Sequence, residues 1–354
     1  MFVIEAELNH STGVTGYVGG TTFSMLHETH PEYDYTLYVR NQGRAKIIAE
    51  KFPDAKFVYG DLDSVDVIEK AASKADVVVH MADSADAPDA AKAIAKGLAS
   101  THTAERPGYY VHLSGAGLLT WYDIKHNRYG EPPLPEQSYN DIKDIDRILK
   151  MPDEAVHKDV ENIIQSIDSD VVKYLMVSPP VIYGPGRGLI HKQSFAITEI
   201  VRASVDLGFT PIIGAGKAKW DNVHVEDLAE IFVKAVEASQ SHSKKENDSE
   251  IWGKKGYYFV TTGEHQWDDL ALWIAEEVHR QGFIAEPKTK SVSMEDMING
   301  GYKAAIAWGT NSKSEAERGR KYLGWESKAP SLKETIADSV AAETAALGLK
   351  PKYK

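Results

Sequence analysis

The sequence predicts an α/β fold: a doubly wound parallel sheet with helices on both faces, followed by a smaller C-terminal α/β lobe. Two observations predict it. Over the first 180 residues, short apolar runs alternate with helix-like stretches that contain many alanines. Parallel strands need a long crossover between them, usually a helix, so this alternation indicates βαβ units. In addition, a glycine-rich segment, Thr12–Gly19, stands where the first strand should meet the first helix.

The first strand is the least regular of the predicted elements. It lies within Phe2–Ser11, but Leu8–Ser11 is too polar for the end of a central strand, so the strand is either short, near Phe2–Ile4, or distorted. The later apolar runs are clearer, and the three valines of Asp76–His80 are typical of a strand covered on both faces. The other predicted strands are Tyr35–Val39, Lys56–Tyr59, Tyr109–Leu113 and Val171–Val177, and the predicted helices include Tyr17–Glu28, Val65–Ser73 and Ala87–Leu98.

Composition excludes several kinds of site. The 354 residues carry a net charge of −12 without any Lys/Arg-rich run, whereas a nucleic-acid partner needs a basic stripe. The absence of cysteine removes disulfides and thiolate nucleophiles, and we expect no metal site. No apolar run approaches the roughly 20 residues of a membrane span. The N-terminus has acidic residues where a signal peptide is positively charged. We therefore expect a cytoplasmic protein without a nucleic-acid or membrane partner.

The segment Thr12–Gly19 has the glycine spacing TGxxGxxG. Gly13 permits a tight turn, Gly16 lets a pyrophosphate approach the backbone, and Gly19 lets the next helix pack on the sheet. That helix directs its N-terminal amides and its dipole at the phosphates. The alternative is a glycine-rich turn with no ligand. The predicted dinucleotide contacts of this segment are Gly13, Thr15, Gly16, Tyr17, Val18 and Gly19.

Residues that follow the next strands extend this predicted site. Arg40 follows the second strand, where a cation suits a ribose 2′-phosphate and a carboxylate suits a free 2′-hydroxyl. Arg40 therefore favours NADP over NAD, unless it is a solvated surface arginine. Asp61 is placed to bond the adenine amino group or, alternatively, to cap the helix that begins near Ser64. The predicted contacts at the strand ends are Asp61, Leu62, Met81, Ala82, Asp83 and Pro179.

Together these motifs resemble the extended short-chain dehydrogenase/reductase family, in its atypical NAD-dependent epimerase/dehydratase-like branch. The resemblance runs along nearly the whole chain. TGVTGYVGG resembles the family's glycine loop, YGDLD its adenine-contacting segment and VVVHMA its fourth strand. Three later segments also resemble it: Ser178–Gly188 (SPPVIYGPGRG), Asn222–Glu237 (NVHVEDLAEIFVKAVE) and Tyr322–Glu326 (YLGWE).

This resemblance implies a Rossmann-type NAD(P)-binding domain over residues 1–180 and a substrate-binding lobe formed mainly by residues 181–354. A strand and a helix near residues 220–240 return to the first domain. It also implies a small-molecule substrate, and a homodimer is compatible with it. Trp121, Tyr122, Tyr183 and the segment Trp220–His224 are expected to line the cleft, or their aromatic residues to pack the lobes together.

The family's chemistry uses a tyrosine and a lysine four residues later on one helix, assisted by a serine or threonine. Ser114, at the end of the fifth strand, stands at or just before the family's serine, although a bond to the loop backbone is an equal alternative. Tyr139 and Lys143 have the Tyr-x-x-x-Lys spacing. However, their segment ends before Pro152 and does not lead into the sixth strand, so a chance match is the favoured interpretation.

A second helix, predicted over Pro152–Ile167, does lead into the sixth strand. By chain spacing, Asp153 and His157 stand where the family has its tyrosine and lysine, four residues apart and therefore on one helix face. A histidine with a pKa near 6.5 can shuttle a proton, and an aspartate can orient it. An ordinary surface pair is an equal alternative.

Three functions are compatible with these features. The favoured one is an NADP-preferring oxidoreductase that transfers a hydride between the nicotinamide and a small or medium carbonyl or alcohol. Ser114 would position the oxygen, and His157 or Tyr139 would handle the proton. The second is a non-catalytic NAD(P)-binding sensor, because the usual tyrosine/lysine pair is displaced. The third, a nucleotide-sugar epimerase or dehydratase, fits Arg40 and the Asp153/His157 departure less well.

Overall fold

The computed structural model describes residues 2–4 and 13–353. The strands in this part of the chain are β1 (Phe2–Ile4), β2 (Thr36–Val39), β3 (Lys56–Tyr59), β4 (Val77–His80), β5 (Gly108–Leu113), β6 (Ser138–Asn140), β7 (Val172–Ser178), β8 (Val181–Tyr183), β9 (Thr210–Ile213), β10 (Lys219–His224), β11 (Tyr257–Phe259), β12 (Gly263–Gln266), β13 (Thr289–Val292) and β14 (Lys313–Glu315). The α-helices are α1 (Tyr17–Thr29), α2 (Gln42–Lys51), α3 (Val65–Ala72), α4 (Pro88–Ala99), α5 (Trp121–Lys125), α6 (Ile145–Leu149), α7 (Lys158–Gln165), α8 (Phe195–Leu207), α9 (Val225–Ser239), α10 (Trp267–Arg280), α11 (Met294–Asn299), α12 (Ala305–Gly309) and α13 (Leu332–Ala346).

The main sheet has the strand order β3-β2-β1-β4-β5-β7-β11, and every neighbouring pair in it is parallel. The order reverses at β1, where Val3 pairs with Leu37 of β2 on one side and with Val79 of β4 on the other. This is the doubly wound arrangement in which ligands bind beyond the carboxyl ends of the strands, at the reversal. The predicted Rossmann-type α/β fold is therefore confirmed.

Smaller sheets follow the main one. Strand β10 lies between β8 and β12, β9 pairs with β13, and β6 pairs with β14. One apolar core surrounds the main sheet and a second is built from residues 181–340, around Trp267 and Trp308. Helix α9 belongs to the first core and packs against α1, although it follows β10 in the chain. The domain division at residue 180 stays a prediction.

The first strand is the short alternative, β1, and the polar stretch Leu8–Ser11 lies outside the described residues, as does Thr12. The predicted helix over Pro152–Ile167 is wrong in its first half. Helix α7 begins only at Lys158, because His157 before it adopts a left-handed backbone with φ of 69°. Within α7, Val160 and Ile164 are fully buried.

Candidate functional site

The glycine segment forms a tight turn that leads directly into α1. The backbone N–H of Gly16 donates to the carbonyl of Gly13 at 2.6 Å, and Gly16 caps the helix without a side chain. The first turn of α1 contains no acidic residue, so its free backbone amides are suited to an anion. Gly13, Thr15, Gly16 and Gly19 are buried beneath this turn. The arrangement fits the pyrophosphate of a dinucleotide.

The segment after β8, residues 184–193, covers the start of α1. Tyr17 donates its hydroxyl to the carbonyl of Gly184 at 2.5 Å, and the backbone N–H of His191 donates to the carbonyl of Thr15 at 3.2 Å. Gly20 and Gly188 pack backbone to backbone, since a Cβ on Gly20 would lie 2.9 Å from the Cα of Gly188. We call residues 184–193 the covering loop. It joins the predicted pyrophosphate site to the C-terminal part of the chain.

A cavity of about 1050 Å³ lies between α1 and the C-terminal part of the chain. Arg40 and Arg44, Tyr17 and Val18 of α1, and Trp220 of β10 all line it. Its walls include Tyr17, Val18, Arg40, Arg44, Pro180–Ile182, Ile190–Ala196, Thr198, Glu199, Arg202, Trp220, Ala307, Glu343 and Ala346.

Two of the residues that line this cavity are arginines that follow β2. Arg40 is exposed, and Arg44 lies on the first turn of α2, where its backbone N–H is capped by the side chain of Asn41 at 3.0 Å. Arg40 was predicted from the sequence as a phosphate contact, whereas Arg44 was not. Its spacing of four residues from Arg40 indicates a second contact only when α2 is known to begin between the two arginines.

The remaining predicted cofactor contacts are placed at strand ends. The carboxylate of Asp61 accepts from the hydroxyl of Ser64 at 2.7 Å, which lowers the pKa of Asp61 and holds it in the turn before α3. Both the adenine contact and the capping role of Asp61 stay predictions. Leu62 packs on the core beside it, Met81 and Ala82 are fully buried at the end of β4, and Asp83 follows with φ of 43°.

At the end of β7, Pro179 accepts a hydrogen bond from the backbone N–H of Ala116 at 2.9 Å. Of the two prolines there, the cavity wall contains Pro180. A dinucleotide role for Pro179 and for the residues after β3 and β4 stays a prediction.

The Tyr139/Lys143 pair does not exist as a helical pair. Tyr139 lies in β6, where it is buried and its ring packs under the guanidinium of Arg147 at 4.4 Å. Lys143 follows in a turn, and its Nζ lies 3.6 Å from the carboxylate of Glu317. A helix would place these two residues on one face, but a strand followed by a turn does not. The prediction of a shared tyrosine/lysine site is therefore wrong, and the spacing is a chance match.

The prediction that Asp153 is the aspartate partner of His157 is also wrong, although His157 does have an aspartate partner. Asp153 precedes α7 and accepts a hydrogen bond from the side chain of Asn162 at 3.1 Å. The carboxylate beside His157 is instead that of Asp86, from the turn after β4, with Nδ1 and Oδ1 2.9 Å apart. Sequence spacing could not find Asp86, because it lies 71 residues away in the chain.

His157 lies at the carboxyl edge of the sheet and is about one-fifth exposed. Burial opposes its charge, but the hydrogen bond and charge of Asp86 outweigh this, so its pKa is raised. The Nε2 atom faces the loop after β5, where a Cβ on Gly115 would lie 3.1 Å from it and one on Gly117 3.2 Å. Among the described residues, Nε2 has no hydrogen-bond partner. Because these two residues have no side chains, the imidazole ring of His157 has room to lie against this loop.

Ser114 is buried at the end of β5 and donates its hydroxyl to Oε1 of Glu161, on α7, at 2.7 Å. Tyr257 of β11 donates to the same oxygen at 2.9 Å. Glu161 is fully buried, and burial raises its pKa even though both hydroxyls favour the carboxylate. The predicted alternative partner of Ser114, the loop backbone, is thus not what its hydroxyl contacts. The sequence analysis missed Glu161 as well.

Other buried titratable groups lie beneath this edge. His80 and His112 flank the hydroxyl of Tyr110, and burial lowers the pKa of both histidines, to about 3 for His80. They are therefore neutral at physiological pH and do not supply a proton there. In the described ranges, no group of three or more His, Asp and Glu side chains is arranged to hold a metal ion. Over those same ranges, no helix has the length and apolar character to cross a bilayer.

Comparisons with known proteins agree with this geometry. A family model described as NAD(P)H-binding matches residues 13–188, and that of the NAD dependent epimerase/dehydratase family matches residues 155–248. Oxidase ucsJ from an Acremonium species is 33% identical over 347 residues, which cover 96% of this chain and 98% of that protein. The chain belongs to the extended short-chain dehydrogenase/reductase family.

Solved structures of this family share the fold. The UDP-glucose 4-epimerase of Thermotoga maritima, determined with UDP-glucose, has a TM-score of 0.60 and 16% identity, covering 95% of this chain and 98% of its own. DesIV, the dTDP-glucose 4,6-dehydratase of Streptomyces venezuelae with NAD and TYD bound, has a TM-score of 0.63 and 13% identity, covering 94% and 95%.

Within this short-chain dehydrogenase/reductase fold, the C-terminal YLGWE segment has a structural role. Trp325 is fully buried and donates its indole N–H to the carbonyl of Asp227, on α9, at 2.7 Å. This hydrogen bond attaches the segment to α9, the helix that packs on α1. At the carboxyl edge of the sheet His157, Asp86 and Gly115 lie together, and a catalytic role for His157 stays a prediction.

Proposed function

We propose that this chain is an NADP-preferring oxidoreductase that interconverts a small or medium alcohol and the corresponding carbonyl compound. The observation that carries the proposal is the cavity of about 1050 Å³ that joins two arginines after β2 to an aromatic residue of the C-terminal part, Trp220. A dinucleotide laid along it would have its phosphates at the start of α1. The name of the Acremonium relative, an oxidase, supports the redox class.

The residues present fit the cofactor. The free amides at the start of α1 suit the pyrophosphate, and the guanidinium groups of Arg40 and Arg44 suit a 2′-phosphate through charge-assisted hydrogen bonds. When bound, the nicotinamide supplies the hydride acceptor or donor. His157 supplies the proton acceptor or donor, because Nε2 faces the loop at the carboxyl edge of the sheet. The hydroxyl of Ser114 donates its hydrogen bond to Glu161, so toward the substrate its oxygen would act as an acceptor.

The apolar residues of the cavity wall favour a compact substrate with an apolar body. Phe195, Ile182 and Ala307 line it together with Trp220, and Thr198 and the Glu199–Arg202 ion pair add polar groups. Apolar walls with a few polar groups are typical of small-molecule pockets. We further propose a cytoplasmic homodimer with neither a nucleic-acid nor a membrane partner; light scattering of the purified chain tests the dimer.

Two other functions compete with this one. A nucleotide-sugar epimerase or dehydratase is supported by the structural neighbours, and turnover of UDP-glucose or dTDP-glucose without net change in the cofactor would favour it. A non-catalytic NAD(P)-binding sensor is supported by the missing tyrosine/lysine pair. Tight cofactor binding with no reaction of any alcohol, carbonyl or nucleotide sugar would favour that function.

The cofactor preference is tested by measuring the Kd of NADPH and NADH for the wild type, Arg40→Ala and Arg44→Ala. A charge-assisted hydrogen bond contributes about 1.5–3 kcal/mol, so each substitution should weaken NADPH binding about 10- to 100-fold. NADH binding should change little. Arg106→Ala is the matched control, because Arg106 is exposed and pairs with Asp76 at the other end of the sheet. Equal affinity of the wild type for both cofactors would contradict the NADP preference.

A further inference from the structure

The turn after β4 carries a carboxylate that the family resemblance does not assign. Asp86 ends a single helical turn, Ser84–Asp86, whose first residue is anchored by a hydrogen bond from the hydroxyl of Ser84 to the carbonyl of Leu113 at 2.6 Å. This anchor fixes the turn against the end of β5. Asp86 itself is 59% exposed on its side chain, yet one oxygen lies 2.9 Å from Nδ1 of His157. The contact therefore joins two elements that meet at the carboxyl edge of the sheet.

We propose that Asp86 is a positioning residue that holds His157 with Nδ1 protonated and with Nε2 turned to the loop after β5, ready to exchange a proton with the substrate oxygen. This inference rests on the proposed function. In the oxidation direction the O–H and C–H bonds of the alcohol would break and its C=O bond would form; the proton would form an N–H bond at Nε2, and an oxidised nicotinamide would accept the hydride. The resulting imidazolium lies beside the Asp86 carboxylate, which stabilises its charge.

The backbone of His157 supports a fixed ring. A left-handed φ of 69° is uncommon outside glycine, and here it ends the turn over residues 152–156 and turns the side chain toward Asp86. Gly115 and Gly117 then form a wall without side chains against Nε2. Because the contact of Nδ1 sets which nitrogen carries the proton, a carboxylate there leaves the lone pair on Nε2. The combination of strained backbone, glycine wall and carboxylate specifies one tautomer and one orientation.

Several charged groups surround the ring and bear on its titration. Asp86 and Asp83 face it from the turn after β4, and His112 faces it from β5. On its own helix, Asp159 and Glu161 favour its charge. Of these, Asp86 is the group in direct hydrogen-bonded contact, so its removal should have the largest effect on the pKa of His157.

The test compares Asp86→Asn with the wild type by NMR of the histidine ring nitrogens. The chain has 13 histidines, so the His157→Gln variant identifies the His157 signal. We expect an Nδ1–H tautomer with a raised pKa in the wild type. In Asp86→Asn, the amide can donate to Nδ1, so the pKa should fall and the Nε2–H tautomer should gain population. Asp153→Asn, at the exposed aspartate named from the sequence, is the matched control and should leave both properties unchanged.

Activity gives a second, separate measurement. Asp86→Asn should lower kcat about tenfold or more, a part of the roughly 10²- to 10⁴-fold that general acid–base assistance contributes, while the Kd of NADPH stays near that of the wild type. Added to His157→Gln, it should cause no further loss. The inference is overturned when the His157 pKa and tautomer are the same in Asp86→Asn as in the wild type. If the tautomer of His157 changes in Asp86→Asn but the wild type transfers no hydride, the positioning role of Asp86 is supported and the proposed oxidoreductase function is rejected.

Discussion

At the residue scale, His157 shows what sequence spacing can and cannot predict. The distance to the next strand predicts proton transfer at His157; that role stays a prediction, and the structure shows the histidine beside a carboxylate. Its aspartate partner was assigned by assuming helical geometry over residues 153–157, which the left-handed backbone of His157 prevents. Asp86 belongs to another element, so only the packing of the turn after β4 against α7 brings it into contact.

Glu161 gives a prediction on stability. Its pKa is raised by burial, so the folded state holds the proton more tightly than the unfolded chain. At low pH Glu161 is protonated in both states and its raised pKa does not change the free energy of unfolding. As pH rises above the pKa of glutamate in the unfolded chain, near 4.3, the raised pKa lowers that free energy. Glu161→Gln removes the charge and keeps an acceptor oxygen for Ser114 and Tyr257. The free energy of unfolding of this variant, relative to wild type, should therefore increase from about pH 4.5 to about pH 7.5.

The increase should be about 1.4 kcal/mol for each unit by which the Glu161 pKa is raised. Urea unfolding at several pH values measures it. The buried amide nitrogen adds a cost that does not vary with pH, so the slope is the relevant quantity. Glu161→Ala is the control, since it leaves two buried hydroxyls without their acceptor and costs about 1–3 kcal/mol for each at every pH. A pH-independent difference between Glu161→Gln and wild type would reject the raised pKa.

At the element scale, the parallel strands and the first helices were predictable because each carries its own signal. The apolar runs ending at Val39, Tyr59 and His80 became β2, β3 and β4 with boundaries shifted by one residue at most. The elements near residues 138–158 were not predictable in this way. Strand β6 is stabilised by its pairing with β14, which lies about 175 residues later in the chain. No local sequence pattern predicts that pairing.

The contact between α1 and the covering loop gives a prediction at this scale. A Cβ on Gly20 would lie 2.9 Å from the Cα of Gly188 and 3.0 Å from the carbonyl oxygen of Val14, and neither backbone atom has room to move. Gly20→Ala should therefore destabilise the fold by about 1–3 kcal/mol, as overpacking does. It should also weaken NADPH binding, because it separates the covering loop from the start of α1. Chemical unfolding and a binding titration measure the two effects.

Gly43→Ala on α2 is the matched control for this prediction. A Cβ there would meet a single side-chain oxygen, that of Asn41, at 3.2 Å. Alanine also favours a helix over glycine by about 1 kcal/mol. The control should thus be neutral or stabilising. If Gly20→Ala proves as stable as Gly43→Ala and binds NADPH equally well, the close packing of α1 against the covering loop is not what holds this region together.

At the scale of the whole molecule, the fold class and the dinucleotide region could be predicted, but the substrate end could not. The glycine spacing and the βαβ alternation are local in sequence, and they placed the pyrophosphate region at the start of α1. The cavity beyond it combines α8, β10 and α13, whose residues are up to 150 positions apart. Trp220 was named as a possible cleft aromatic and does line the cavity, whereas Trp121 is packed against Tyr122 and the core.

This division also explains why cofactor binding is better supported than any one substrate. The proposed cofactor contacts are backbone amides of the glycine segment and two arginines, of which Arg40 was named from the sequence. The proposed chemistry instead requires three residues from different elements, His157, Asp86 and Ser114. The central claim is therefore that this rearranged site still transfers hydride.

The most direct test uses NADPH carrying deuterium at carbon 4 of the nicotinamide, prepared separately for each face, with a panel of small and medium carbonyl compounds. Mass spectrometry of the products measures transfer, and His157→Gln serves as the inactive comparison. We predict that one of the two labelled cofactors delivers deuterium to the carbinol carbon of a product, and that His157→Gln loses this transfer while still binding NADPH. Tight NADPH binding by the wild type, with no deuterium in any product from either label, would contradict the account.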